Sequence, residues 1–442
     1  MHLIESGPYR FLLDCGLHRG PGEDIRRRNR FFSFNPATID ALFLSHAHLD
    51  HCGNIPNLIR QGFVGPIFCT HATRDLIAVM LEDSERIQMN RIQMNTAPYS
   101  RSRQVGGIKP DTPGETTSSS VKQAIAACVG VDFQSNVQVN PDVQIRFIEA
   151  GHILGSAIIV VKLIHVGREF TITFSGDLGR RGLPYLCDPS PLPSADLIIC
   201  ESTYGGRTHD TVEQMSEKMA GFVEQTLDRG GKVLIPAFSL GRTQLVLHYL
   251  RNWMKRGIMP RMPIYIDSPL AKKIATIHQQ YGSFLVPEDE EVTCEWIDDE
   301  EDAMYRSTQR DPCIILASGG MCEGGRIVSH LRTHIDDPRS SIVLVSYQAS
   351  DSLGAQLLSR VSTVHFQRRR WNKWINVGEI KGFSGHADEN DFQWLLADAA
   401  QATRHVRLVH GEPKQMTALA KQMRQMGFSD VESPSENQSV LL

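Results

Sequence analysis

The sequence predicts an α/β protein. Three observations carry that reading. Short apolar runs end abruptly in loops rich in His and Asp, strand and helix patterns alternate through the middle of the chain, and helices show apolar residues at a spacing near 3.6. The best-marked stretch is the apolar run 41–44, a buried strand by its pattern. It feeds directly into Ser45-His46-Ala47-His48-Leu49-Asp50-His51. Three imidazoles and one carboxylate fall within six residues, and both groups are usual Zn²⁺ ligands. Side chains two apart on an extended chain share a face, so His46 and His48 can aim at one point. Asp50 and His51 can aim at a second point nearby, so the spacing suits two metals.

From the start of the chain, residues 2–5 and 9–14 read as strands joined at Gly7-Pro8, the second ending in Asp14-Cys15-Gly16. Arg26-Arg27-Arg28 with Arg30 reads as a solvated loop or a phosphate contact. A strand at 67–70 precedes a helix over 72–95, with Leu76, Ile77, Met80 and Ile87 at helical spacing. Residues 109–120 are rich in Pro, Gly, Ser and Thr and read as a loop. Strand patterns return at 145–149, 157–164, 170–174 and 197–200. They deliver His152, Asp177 and Glu201 at strand ends, where functional groups commonly sit.

The texture changes after Glu201. Residues 211–229 form a helix by periodicity, with Thr211 and Gln214 as a capping box and Gly230 as a stop. Strands at 233–238, 264–267, 314–317 and 342–346 then alternate with helical stretches opening near Arg242, Ala271, Gly324 and Leu353. Such alternation predicts a mostly parallel sheet covered on both faces. Residues 287–302 show no regular element, and their acidic runs read as a solvated face. Arg368-Arg369-Arg370-Trp371-Asn372-Lys373-Trp374 is either a grip for a phosphate backbone with base stacking or an edge hairpin with solvated arginines. Loops with ligand-type residues then return. Ser384 and His386 precede a helix ending near residue 400, a strand at 406–409 runs into His410, and 431–442 reads as a terminal strand.

The 442 residues allow two or three domains. A net charge of −4 does not describe a general polyanion binder, so contact with nucleic acid must come from local patches or metals. The 9 cysteines contain no Cys-x-x-Cys pair and read as reduced, buried thiols of a cytoplasmic protein. No apolar run approaches the roughly 20 residues that span a bilayer.

Asp14, the His46–His51 loop, His152 and Asp177 together resemble the motifs of the metallo-β-lactamase fold. Glu201-Ser-Thr-Tyr-Gly, Pro236-Ala-Phe-Ser-Leu-Gly-Arg242, Asp267-Ser-Pro, Gly382-Phe-Ser-Gly-His-Ala-Asp388 and Val409-His-Gly-Glu412 look like the added motifs of the β-CASP nucleases. That group includes the cleavage and polyadenylation specificity factor endonuclease and ribonuclease J. The resemblance runs in order over nearly the whole chain. It implies an αββα sandwich from 1–202 and 378–442, with a parallel-sheet β-CASP domain inserted at 203–377. It implies that His46, His48 and His152 hold one zinc together with a bridging Asp177, and that Asp50, His51 and His410 hold the other. Glu201 and His386 would pair, with His386 as general acid, while Asp14 supports the ligand loop. A His at the position of His410 accompanies RNA substrates. A homodimer is a family expectation. Family members usually begin with one more strand, and the expectation from the resemblance is a shorter, endonuclease-like member without the extra C-terminal domain of ribonuclease J.

Two metals about 3.5–4 Å apart can share a water and bring its pKa towards neutrality, so that hydroxide attacks phosphorus in line. The leaving 3′ oxygen takes a proton from His386. Ser384 and Arg242 could bind phosphate, although Arg242 could equally make a structural bond at a helix start. His209, His248 and His365 are read as ordinary structural histidines. The expectation is a di-zinc hydrolase of single-stranded RNA, with Mn²⁺ accepted by much the same ligands. Two other readings stay open: a small-ester or thioester hydrolase of the same fold, and a non-catalytic RNA-binding scaffold.

Overall fold

The computed structural model describes residues 1–18, 20, 22–96, 118–282 and 292–441, with side chains from 90 to 96 and at 118 left aside. The chain forms two units. One contains Met1–Arg181, Cys187–Gly206 and Glu389–Leu442; the other contains Gly182–Leu186 and Arg207–Asp388.

The first unit has two sheets. Five strands run in the order His2–Ser6, Tyr9–Leu13, Ala41–Phe43, Ile67–Thr70, Cys128–Val131, antiparallel only at the first pair. Seven run in the order Val431–Glu432, His405–Val409, Leu197–Glu201, Arg168–Phe174, Ala157–His165, Val143–Glu149, Asn136–Asn140. The first four of these are parallel and the rest antiparallel. Phe11, Leu13 and Phe43 from the small sheet share one core with Ile145, Phe147, Ile159, Val161 and Phe174 from the large one. Alternate residues of each strand face that layer, as the pleat requires. The helix His71–Thr96 packs on the small sheet and Pro413–Met426 on the large one, giving the αββα order.

The second unit is built on six parallel strands in the order Cys294–Trp296, Ile264–Asp267, Cys313–Ser318, Lys232–Ala237, Ser341–Leu344, Asn376–Glu379. Val233, Ile235 and Ala237 face one core with Met219, Val223, Leu250 and Trp253. Leu234, Ile342 and Leu344 face another with Ile327, Leu331 and Leu357. A sheet buried on both faces needs continuous apolar strands, which is why these runs are so legible. The capping box forms as expected: Gln214 N–H donates to Thr211 Oγ1 at 3.3 Å, and Thr211 N–H donates to Gln214 Oε1 at 3.0 Å.

Several expectations are corrected. The Arg26–Arg30 run is not a loop but the end of helix Glu23–Arg30, with Glu23 and Asp24 in its first turn and the arginines in its last. That charge order suits the helix dipole, and no residue is buried, so no apolar period marks it. The acidic run at 298–302 opens the helix Glu300–Thr308, with Asp299 as N-cap. Strand Cys294–Trp296 also lies in the stretch read as irregular. Residues 118–120 begin a helix, Ser118–Ala126, while 109–117 and 288–291 lie outside the described residues. The terminal strand is only Val431–Glu432. The domain bounds are not among these corrections; by contacts alone residues 378–388 lie with the second unit, where Asn376–Glu379 pairs with Ser341–Leu344 and Gly382 approaches Met215. Cys69, Cys200 and Cys313 are buried thiols, whereas Cys187 is exposed. No helix among the described residues is long and apolar enough to cross a membrane.

Candidate metal centre

Strand ends of the first unit bring seven side chains together. Strand Ala41–Phe43 leads to His46 and His48, and the short helix Leu49–Cys52 carries Asp50 and His51. His152, Asp177 and His410 follow strands Val143–Glu149, Arg168–Phe174 and His405–Val409. The loops cross at backbone contact. A β-carbon on Gly16 would lie 1.5 Å from the Asp50 carbonyl oxygen, so only glycine fits there. Gly176, at φ +53, turns the chain before Asp177, and a β-carbon on it would meet the Ser45 side chain at 2.6 Å. Asp14 and His410 also take left-handed backbone, φ 58 and 51, although neither is glycine. Such strain collects where surrounding structure fixes a functional side chain.

Two groups of ligand-type atoms result. In the first, His46 Nε2 lies 3.0 Å from His48 Nδ1, which lies 3.3 Å from His152 Nε2. Asp177 Oδ2 stands 3.4 Å from His46 Nε2 and 3.6 Å from His152 Nε2. In the second, His51 Nε2 lies 3.3 Å from His410 Nε2, and Asp50 Oδ2 lies 3.6 Å from the same His410 atom. The other oxygen of Asp177, Oδ1, stands 3.3 Å from His51 Nε2 and 3.4 Å from His410 Nδ1. The edges of a zinc tetrahedron with bonds near 2.0–2.1 Å are about 3.3 Å, so the spacing is that of ligands around a cation. Among the described residues the buried Asp177 Oδ1 accepts no hydrogen bond, which a bridging carboxylate would not need.

Asp14 sets the tautomers. Ser45 N–H and Oγ–H donate to its two oxygens at 2.7 Å each, and His51 Nδ1–H donates to Oδ2 at 2.6 Å. With its proton committed to Asp14, Ser45 Oγ accepts from His46 Nδ1–H at 3.0 Å. Both rings therefore turn a Nε2 lone pair into the centre. One carboxylate thus orients a ligand in each group. Asp14→Ala should weaken metal binding about 10–100-fold at both positions, measured by competition with a chromophoric chelator.

The electrostatics separate the groups. Burial, then the neighbouring His51, lowers the His46 pKa; burial with His46 takes His48 to about 3. These rings are neutral and offer lone pairs. Burial opposes charge on His51 and His410 too, but Asp177 outweighs it with the help of Asp14 and Asp50. His51 is raised well above its ordinary value and His410 to about 9. Positive charge is favoured there, and a metal cation competes with protons for it. This second group is also the open side. His410 and Asp50 keep 33% and 32% of their side-chain surface exposed, against 2% for Asp177. A cavity of ≈ 140 Å³ reaches Asp14, Asp50, His51 and His410.

Glu201 is fully buried in the same unit. Its Oε1 accepts Leu178 N–H at 2.8 Å and its Oε2 accepts Thr203 N–H at 2.9 Å, which braces the loop after Asp177. Ser384, His386 and Arg242 belong to the second unit. Ser384 Oγ accepts His386 N–H at 3.3 Å, and Arg242 Nη1 donates to the Val345 carbonyl at 2.9 Å. Sequence reasoning passed over His209. Its ring meets the carbonyl of His386 at 2.8 Å through Nε2 and that of Lys381 at 3.3 Å through Nδ1, and its N–H donates to Asp388 Oδ2 at 3.1 Å. Its position beside Asp210, in the loop before a capping box, was the one available signal.

A two-sheet sandwich whose loops converge paired His and Asp groups is the scaffold of a metal-dependent hydrolase. Family models match in order: the metallo-β-lactamase superfamily at 1–119, the Beta-Casp domain at 243–357, and a Zn-dependent metallo-hydrolase RNA specificity domain at 375–434. Ribonuclease TTHA0252 of Thermus thermophilus is 33% identical over 434 residues, covering 95% of this chain and 92% of that protein. Transcription termination factor FttA of Methanocaldococcus jannaschii is 28% identical over 449 residues, 96% of this chain and 66% of the factor. FttA of Pyrococcus abyssi is 32% identical over 415 residues, 88% and 60% respectively, so the chain spans about two-thirds of these archaeal relatives. The chain belongs to the β-CASP branch of the metallo-β-lactamase superfamily.

Proposed function

We propose that this chain hydrolyses phosphodiester bonds in single-stranded RNA using two divalent metal ions, as an RNA-processing endonuclease or with 5′-exonuclease activity, two modes that the fragment ladder of labelled RNA separates. The observation that carries the reading is Asp177, whose two oxygens face two separate imidazole groups. His46, His48 and His152 would hold one ion with Asp177 Oδ2; Asp50, His51 and His410 would hold the other with Asp177 Oδ1. The imidazole-rich set suits zinc, and Mn²⁺ would accept it. Bound there, the ions would supply Lewis acidity to water and to the phosphoryl oxygens.

The chain's own residues do the rest. Asp14 holds His46 and His51 in the tautomers that face the ions. Glu201 fixes the loop carrying Asp177 and, on this reading, pairs with His386. His386 gives its proton to the leaving 3′ oxygen, so products carry a 5′ phosphate and a 3′ hydroxyl. Ser384 and Arg242 contact neighbouring phosphates. The ribonuclease relative supports RNA as the substrate, and the enzyme then works in the cytoplasm. His209 holds the loop of the acid by bonds to the carbonyls at 381 and 386. His209→Ala should lower kcat about tenfold or more with little change in KM or metal content, and His209→Gln should recover part of it.

The test uses 5′-labelled RNA and matching DNA with and without a chelator. Internal RNA fragments that vanish with the chelator support the reading. Cleavage of thioester or lactam substrates without RNA cleavage would move the small-ester reading ahead.

A further inference from the structure

The hairpin at 363–372 takes no part in the centre described above. Between residues 359 and 378 the chain carries Arg360, Arg368, Arg369, Arg370 and Lys373 and no carboxylate, in a protein of net charge −4. Strand Thr363–Phe366 pairs antiparallel with Arg369–Asn372, placing Val364 opposite Trp371 and His365 opposite Arg370. Opposed residues share a face. Val364, Phe366 and Trp371 pack into the core of the second unit, with Trp371 stacked on Phe366 at 5.3 Å. His365 and Arg370 therefore lie on the other face, while Arg369, opposite Phe366, lies on the side of the packed rings at the exposed end of the hairpin. Arg368, Arg369 and Arg370 are all exposed. Lys373 donates to the carbonyls of Leu357 and Ser359 and ties down the base of the hairpin. The arginines form no ion pair among the described residues; Arg370 makes one long hydrogen bond, to Thr363 Oγ1 at 3.3 Å.

The turn is Gln367-Arg368, at φ 49 and 60. A two-residue hairpin turn with both residues left-handed favours Asn-Gly. Stability alone would put glycine at 368, yet a guanidinium stands at the tip. Trp374 follows, 59% exposed, its backbone N–H donating to the Ile335 carbonyl at 2.9 Å.

We propose that this hairpin is a docking surface for single-stranded RNA. Arg368, Arg369 and Arg370 take backbone phosphates and Trp374 stacks a base. Exposed guanidinium groups and an exposed indole carried on one stretch of chain match a strand that alternates phosphate and π-face, whereas an acidic protein would leave the indole without a role. The inference rests on RNA as the substrate and adds where the strand is held.

The full chain is titrated into a fluorescein-labelled oligouridylate with EDTA present, and anisotropy is followed between about 50 and 300 mM KCl. Losing three phosphate contacts at about 0.7 each should lower the salt slope of Arg368→Ala/Arg369→Ala/Arg370→Ala by about 2, with affinity at least about tenfold weaker near 0.15 M. Trp374→Ala should weaken binding about fivefold or more. Arg368→Gly relaxes the turn, so it should bind more weakly while melting about 1–3 °C higher, which separates docking from folding. An unchanged slope and affinity in the triple variant overturns the proposal, as does an Arg368→Gly protein that melts higher and binds as well as wild type. Wild type that binds through the hairpin but never cuts RNA when metal is supplied contradicts the hydrolase reading and leaves this one standing.

Discussion

Asp177→Ala should abolish RNA cleavage, with a loss of at least about 10³-fold, equivalent to about 4 kcal/mol of transition-state stabilisation. Its two oxygens face both imidazole groups, 3.3–3.6 Å from nitrogens of His46, His152, His51 and His410. Burial works against its charge, but His410 and His51 hold the carboxyl well below its ordinary range. It therefore offers two anionic oxygens at neutral pH. Replacing it removes a donor from each group, and the variant should bind fewer than two equivalents of Zn²⁺. Asp177→Asn keeps the shape and loses the charge, so it should lie near Asp177→Ala in rate. An asparagine variant with most of the wild-type rate would show that the carboxylate does not bridge.

His386→Ala should lower kcat on RNA by about 10²–10⁴-fold while two equivalents of metal stay bound. The loss should depend on the leaving group. A ribose oxygen departs poorly without a proton, whereas p-nitrophenolate departs unaided, so hydrolysis of bis(p-nitrophenyl) phosphate should fall by less than about tenfold. Equal losses on both substrates would make His386 a structural residue.

The individual strands and the parallel sheet were legible because burial on one or both faces forces apolar alternation or apolar runs, and because His and Asp sit where those runs stop; the αββα stacking of two sheets came only with the family resemblance. Residue type and spacing marked the loop His46–His51 as ligand-rich, whereas His152, Asp177 and His410 joined it only through the resemblance to the family. Other parts left little trace. Helix Glu23–Arg30 buries nothing, so it has no apolar period. Strands Cys128–Val131 and Asn136–Asn140 lie at sheet edges with little burial, and their patterns are weak. Asn376–Glu379 gains its place by pairing with Ser341–Leu344, a contact that no local pattern encodes. His209 looked like any half-buried histidine, since its role depends on carbonyls some 170 residues away in the chain. The orientation of His46 by way of Ser45 to Asp14 likewise needs three dimensions, because Asp14 lies 31 residues from Ser45.

The most direct measurement is a titration of metal-stripped protein with Zn²⁺, following bound metal by native mass spectrometry and cleavage of 5′-labelled RNA in the same samples. Cleavage should rise with the second equivalent and level off at two ions per chain, with Asp50→Ala binding less and staying inert. Protein that carries two equivalents and leaves RNA intact would contradict the two-metal ribonuclease.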